Sequence, residues 1–119
     1  MRIRLAREEE IARMLQDGFA TAEQDMQARA LVEARVDADR LLIATQSALD
    51  ADGDVLATDE RTAIDALMRA LRAVLDAGEG AASVEAATAA LAKGTEAFAA
   101  QRMNRGIRQA LSGKNVSAL

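Results

Sequence analysis

The chain contains no cysteine, histidine, proline, tryptophan or tyrosine, and these absences exclude several classes of function. Without cysteine and histidine it has no thiol nucleophile, no imidazole general base, no structural zinc site of the usual kind and no disulfide framework. No apolar run has the length of a signal-peptide core or of a membrane span. We therefore expect a cytoplasmic chain with no membrane partner.

Residues that favour β-strands are scarce, whereas alanine is abundant. Phe19 and Phe98 are the only aromatic residues, while 29 of the 119 residues are alanine. Strands favour β-branched and aromatic side chains, and alanine has the highest helix propensity. Because alanine is also small, helices rich in it must approach closely to bury a core. The composition predicts an all-α fold.

Charge is distributed unevenly along the chain. Residues 1–100 carry 11 basic and 19 acidic side chains, a net charge of −8. Residues 101–119 have a net charge of +4 and no acidic side chain; their cations are Arg102, Arg105, Arg108 and Lys114. A basic end occurs in nucleic-acid-binding proteins, but the aromatic residues on which bases stack are missing. We expect these cations to complement a helix dipole, with no nucleic-acid partner.

The spacing of apolar residues predicts a short first helix over residues 7–18. Ile11, Met14 and Leu15 would lie on one side of it, and Gly18 would interrupt it. A second, long helix would begin with Thr21 as its cap and run to about residue 51.

The apolar side of the long helix is strong only in its second half. Its expected buried residues are Leu31, Ala34, Ala38, Leu41, Leu42, Thr45, Ala48 and Leu49. Residues 21–30 are polar apart from Met26 and alanines, so they lack a side to bury in the chain's own core. A helix of this kind lies on something outside itself, or in solvent.

Two more helices would pack back on the distal half of the long one. The third would have Thr58 as its N-cap and end at Gly78 and Gly80; its apolar side is Ile64, Leu67, Met68, Leu71, Val74 and Leu75. Ser83 would cap the fourth, whose apolar side is Val84, Ala87, Leu91, Gly94 and Phe98. Short connections predict an antiparallel bundle over residues 39–112.

The end of the fourth helix shows a change of pattern. The apolar positions shift in phase to Met103, Ile107, Ala110 and Leu111, which predicts a bend or a separate last helix near residues 104–106. Gly113 would stop the helix and leave a tail over residues 113–119. The whole chain, residues 1–119, is expected to be a single unit.

No motif in the chain predicts catalysis or metal binding. Asp50, Asp52 and Asp54 imitate the first ligands of a calcium-binding EF-hand loop, but Val55 stands where that loop needs glycine. Arg61 stands where it needs a bidentate glutamate, so an acidic turn between helices is the better interpretation. We predict no catalytic, cofactor-binding or metal-ligating residue, and no enzymatic activity for this chain.

The order of residues along the helices resembles the start of the helical lid of DnaK-type chaperones. The resemblance begins at about Glu8, extends through Thr62-Ala63-Ile64 and the helix that follows, and covers nearly the whole chain. It rests on Glu10-Ile11-Ala12-Arg13-Met14, Asp17, Ala22-Glu23, Asp25, Arg29, Glu33, Arg35, Ala38-Asp39 and Leu42.

The end of the chain is similar to one branch of that family, the HscA chaperones that serve iron–sulfur cluster assembly. The matching residues are Phe98-Ala99-Ala100-Gln101-Arg102-Met103 and Ile107-Arg108-Gln109-Ala110-Leu111-Ser112-Gly113. The early stretch Ala22-Glu23-Gln24-Asp25-Met26-Gln27-Ala28-Arg29 also looks like that branch.

This resemblance implies a role in closing a peptide-binding site. In the family, an ATPase domain and a β-sandwich that holds an extended peptide precede the lid. Residues 7–18 and 21–38 would then cover the β-sandwich, and ATP would bind only in the full-length protein. The implied partners are the β-sandwich, an unfolded peptide client and, for this branch, an iron–sulfur scaffold protein.

Two sets of residues acquire expected roles. Arg35 and Asp39 match the lid positions that form latch contacts with the β-sandwich, although Ile43 stands where some family members have a histidine. A simple ion pair within the helix is the alternative for Arg35 and Asp39, which lie one turn apart. The exposed docking surface would consist of Ile11, Met14, Leu15 and Phe19, through which the isolated chain is expected to form a homodimer. The rival interpretation of the whole chain is a stand-alone helical protein–protein interaction module.

Overall fold

A computed structural model describes the backbone of residues 2–118 and the side chains of residues 7–113. Its helices are α1 (Arg2–Asp52), α2 (Thr58–Asp76), α3 (Ala81–Gly94) and α4 (Glu96–Ala118), with a 3-10 turn (Gly53–Val55) between α1 and α2. No strand occurs among residues 2–118, so the predicted all-α fold is confirmed.

The short and long helices predicted at the start of the chain are one helix. α1 runs without a break through Gly18, where an added Cβ would meet no atom within 4 Å. Thr21 does not act as a cap; its hydroxyl donates a hydrogen bond of 2.9 Å to the carbonyl of Asp17 one turn earlier. The predicted interruption was wrong because one glycine in a helix costs only about 1 kcal/mol relative to alanine.

The core is formed by α2, α3, the distal half of α1 and Phe98 at the start of α4. Its buried side chains are Ala34, Ala38, Leu42, Thr45, Ala48, Leu49, Ile64, Met68, Leu71, Leu75, Val84, Leu91 and Phe98. These lie on the apolar sides predicted from the sequence, which are therefore confirmed. Both α1 and α2 pack extensively on α3 but touch each other sparsely, which leaves an open groove between them.

The ends of α2 determine how the bundle turns. The backbone N–H of Ala57 donates to the Glu60 carboxylate at 3.0 Å, so α2 begins one residue after Ala57 and Thr58 is not the cap. At the other end, Gly78 adopts a φ of +68° and closes the helix with hydrogen bonds back to α2. Only glycine takes this left-handed conformation without strain, so α2 stops here and the chain reverses into α3.

The predicted cap and bend of the fourth helix were misplaced. Gly80, and not Ser83, precedes the first turn of α3. The helix changes direction at Thr95, whose N–H still donates to the carbonyl of Leu91 at 3.1 Å. An added Cβ at Gly94 would collide with the Leu67 side chain, so glycine permits the close approach of α3 to α2. We conclude that the bend belongs at the end of this tight contact.

Beyond Phe98, α4 leaves the bundle. It is continuous through residues 104–106 and Gly113, so no separate last helix begins there and the predicted stop is absent; it ends at Ala118, and Leu119 lies outside the described residues. Met103, Ile107 and Leu111 are exposed and do not extend the core as their spacing suggests. Residues 99–113 of α4 thus contribute no buried side chain to the bundle.

The other end of α1 also projects from the bundle. Every side chain of residues 7–29, here called the arm, is exposed. With the arm at one end and α4 at the other, the molecule measures 95 × 33 × 16 Å. No helix in the described part of the chain is long and apolar enough to cross a membrane.

Candidate functional site: the uncovered side of helix α1

The arm carries large apolar side chains that no other part of residues 7–113 covers. Ile11, Met14, Leu15 and Phe19 are between 55% and 77% exposed. At 100° per residue they fall within a sector of about 140° on one side of α1. The structure thus brings the four predicted docking residues together on one uncovered surface.

Four more exposed apolar side chains lie on this side of α1, interspersed with the exposed charged residues Asp25, Arg29, Glu33 and Arg40. Met26, Val32, Val36 and Ile43 are also exposed and follow this sector along the helix. We call these eight side chains, from Ile11 to Ile43, the outer stripe; it is about 48 Å long at 1.5 Å per residue. The sequence analysis did not predict Val32, Val36 and Ile43 as part of this surface, because they alternate with the core positions of residues 31–49.

The outer stripe lies opposite the side of α1 that packs in the bundle. Ala34, Ala38 and Leu42, which enter the core, point about 180° away from the stripe's mean direction. α1 is therefore apolar on two sides, of which its own bundle covers one. Monomeric soluble proteins rarely expose apolar patches larger than a few hundred Å², so the second side fits a docking surface.

The two predicted latch residues have different surroundings. A guanidinium nitrogen of Arg35, Nη1, donates a hydrogen bond of 3.2 Å to the carbonyl of Leu75 at the end of α2. Among residues 7–113, no hydrogen bond or ion pair is made by the Asp39 side chain, which is exposed at the edge of the outer stripe. Arg35 and Asp39 therefore do not form the ion pair that was the alternative for them. Arg35 instead connects α1 to α2, and the Asp39 carboxylate is available to a partner.

Asp39 also lines the open groove between α1 and α2. The groove has a volume of about 600 Å³ and is lined by Asp39, Leu42, Ile43, Gln46, Ser47, Asp50 and Arg72. Leu42 is buried at its base, whereas the other lining side chains from α1 are exposed. Since Ile43 belongs to both surfaces and Asp39 lies at the edge of the outer stripe, the groove continues the stripe sideways towards α2.

A cluster of charged residues, missed in the sequence analysis, attaches α4 to the end of α1. Arg105 forms an ion pair with Asp54 at 2.6 Å and with Asp52 at 3.2 Å. Arg102 pairs with Asp52 at 2.8 Å, and its guanidinium carbon lies 5.8 Å from the centroid of the Phe98 ring. We call these two acids and two arginines the Asp–Arg cluster. Two of the basic residues ascribed to a helix dipole are thus counterions of the acidic turn.

These contacts shift the ionisation of the acidic turn. Hydrogen bonds from Arg102 and then Arg105 hold the pKa of Asp52 below its ordinary value, and that from Arg105 does the same for Asp54. Partial desolvation acts in the opposite direction but is the weaker influence. The cluster is therefore formed fully only while both carboxylates are ionised.

Known proteins match almost the whole chain. The family described as Hsp70 protein matches residues 2–104. Relatives named "Chaperone protein HscA homolog" from Acidovorax ebreus (strain TPSY), Delftia acidovorans (strain DSM 14801 / SPH-1) and Ralstonia nicotianae (strain ATCC BAA-1114 / GMI1000) are 82%, 73% and 54% identical over 112 residues. Each match covers 94% of this chain but only 18% of the relative's length. With more than half of its residues matched to the family, the chain belongs to the Hsp70 family.

Proposed function

We propose that this chain is the helical lid of the substrate-binding part of an HscA-like chaperone and that it slows the release of bound peptide. The observation that carries the proposal is the outer stripe, a row of exposed apolar side chains about 48 Å long on a helix whose opposite side packs in the bundle over its distal half. A β-sandwich beneath the arm would cover this surface and complete the packing of α1. The full-length protein would be an ATP-dependent chaperone of the cytoplasm that assists iron–sulfur cluster assembly, with an iron–sulfur scaffold protein as its client.

The mechanism we propose is gating. A closed lid adds contacts that must break before the peptide leaves, so it lowers the rate of dissociation without taking part in any chemical step. ATP bound in another domain would favour the open state only as far as that state binds ATP more tightly. Asp39 is the latch residue in this scheme, since its carboxylate is exposed and has no partner among residues 7–113.

The test is the rate at which a fluorescent peptide leaves the full-length chaperone in its ADP state. If the latch contributes about 1.4 kcal/mol, Asp39→Ala should speed release about tenfold and leave basal ATP hydrolysis unchanged. Asp37→Ala is the matched control, because Asp37 is exposed on another side of α1, where it lines a separate cavity with Glu85. Equal release rates for the wild type and Asp39→Ala would remove Asp39 from the latch.

A further inference from the structure

We propose that the groove between α1 and α2 receives a charged loop from the preceding part of the longer chaperone chain, with Arg72 as a second holding point beside Asp39. The inference rests on the proposed function, because the loop is present only where the lid covers the rest of the substrate-binding part. It assigns a role to α2, which otherwise serves only to build the bundle.

The groove offers unpaired charges of both signs. Arg72 on α2 and Asp39 on α1 both line it, and neither forms an ion pair or a hydrogen bond with any of residues 7–113. The Arg35–Leu75 contact sets the antiparallel register, which places residue 72 level with residues 38 and 39. One end of the groove therefore presents a carboxylate and a guanidinium at the same level, without the pair closing on itself.

The far end of the groove is chemically different. Asp50 already accepts a hydrogen bond of 2.9 Å from Gln46, which occupies one of its two carboxylate oxygens. Ser47 and Ile43 lie between the two ends, and Ile43 is 71% exposed. An extended segment along the groove would thus contact first the charged Asp39 and Arg72, then the apolar Ile43, and finally the Asp50 carboxylate, which already accepts one hydrogen bond.

These features define the occupant. A loop with a basic side chain for Asp39, an acidic side chain for Arg72 and an apolar residue for Ile43 would satisfy the groove. An apolar peptide client would bury two charged groups without partners, Asp39 and Arg72, which is costly. The groove is also continuous with the outer stripe through Ile43, so whatever covers the stripe brings its own neighbouring loops to the groove.

The first test compares peptide release from the full-length chaperone in its ADP state. Arg72→Gln should speed release about fivefold, as expected for the loss of one charged contact at a partly exposed interface. Arg69→Gln is the matched control, since Arg69 is exposed on the same helix and is not among the groove residues. In the double variant with Asp39→Ala, the two effects should combine to less than their product, because both side chains hold one loop.

The second test identifies the occupant directly. A photo-crosslinking amino acid at position 47 should join the groove to the preceding part of the same chain in the ADP state, and less so with ATP. Crosslinks only to the peptide client, or to a second copy, would overturn the proposal.

The outcomes separate this inference from the proposed function. Unchanged release for Arg72→Gln together with faster release for Asp39→Ala would overturn the groove and leave the lid intact. Unchanged release for both variants would remove both the groove and the latch.

Discussion

Arg35 and Asp39 lie one turn apart on α1, yet the structure gives them separate tasks. The Arg35 guanidinium satisfies the carbonyl of Leu75, one of the last acceptors of α2, and so holds α1 and α2 together. Asp39 makes no comparable contact among residues 7–113. Spacing alone indicated that the two side chains share a side of the helix; which one the bundle uses depended on the position of α2.

This difference predicts opposite results in the isolated chain. Arg35→Ala should lower the free energy of unfolding by about 1 kcal/mol, since a charge-assisted hydrogen bond to a partly buried carbonyl is lost. Asp39→Ala should change it by less than about 0.5 kcal/mol. Urea denaturation followed by circular dichroism measures both, with Arg40→Ala as a control on the same helix. Equal losses for the Arg35 and Arg40 variants would show that the contact with Leu75 contributes nothing.

The Asp–Arg cluster predicts a dependence of stability on pH. The pKa values of Asp52 and Asp54 are lower in the folded chain than their ordinary value of 3.8. Their contribution to stability is therefore complete above about pH 3.8 and is lost as the pH falls through the lower, folded values. Arg105→Gln should lower the urea midpoint at pH 7, and its difference from the wild type should shrink below pH 3.8.

Arg108→Gln provides the control for that experiment, because among residues 7–113 the Arg108 side chain bonds only to the backbone carbonyl of Asn104, at 3.5 Å. It should leave the pH dependence as in the wild type. A destabilisation by Arg105→Gln that is equally large at pH 7 and at pH 2 would mean that the carboxylates are not its cause.

At the scale of the helices, the sequence predicted which side of each helix is buried more accurately than it predicted the residues at which helices begin and end. The apolar sides of α2 and of distal α1 follow directly from residue spacing, because each burial position recurs every three or four residues. The sequence predicts helix ends at Gly18 and Gly113, but each of these glycines lies within a continuous helix. Thr95 marks the real change of direction, which depends on the contact between Gly94 and Leu67 and so could not be found locally.

Among the functional surfaces, too, those formed by residues close in sequence could be predicted, and those formed by residues far apart in sequence could not. Ile11, Met14 and Leu15 were identified because an apolar side without a partner is visible in the spacing itself. The Asp–Arg cluster was not, since 51 residues separate Asp54 from Arg105 and nothing in the spacing links them. Arg72 could not be predicted as a groove residue for the same reason: its place beside Asp39 depends on the register of α1 and α2.

The continuity of α1 predicts the effect of removing Gly18. Gly18→Ala should stabilise the helix locally by about 0.5–1 kcal/mol, because alanine restricts the unfolded chain and an added Cβ meets open space. Hydrogen exchange of the arm's amides should slow about threefold, with little change in the bundle. Gly106→Ala, at an equally open site in α4, should slow exchange only in α4. Faster exchange in the arm of Gly18→Ala would indicate a bend at this position.

At the scale of the whole molecule, the structure consists of the bundle and two projecting helical ends, the arm and the distal part of α4. The core residues lie between Ala34 and Phe98, whereas the arm and residues 99–113 of α4 contribute no buried side chain. The bundle can therefore keep its structure whether or not the arm is covered, as a gate requires. The arm needs a partner surface, and in the isolated chain the available surface is another arm.

The isolated chain should therefore self-associate through Ile11, Met14, Leu15 and Phe19. A contact between two arms that buries about 600 Å² of apolar area would contribute about 15 kcal/mol before the costs of association, which are of similar size. Sedimentation at micromolar concentration should detect dimers, and Leu15→Ser with Phe19→Ser should return the chain to a monomer. Met103→Ser with Ile107→Ser, on the equally exposed side of α4, should leave the dimer unchanged. A wild-type chain that sediments as a monomer, or a dimer lost only with the α4 variant, would place the self-association surface elsewhere.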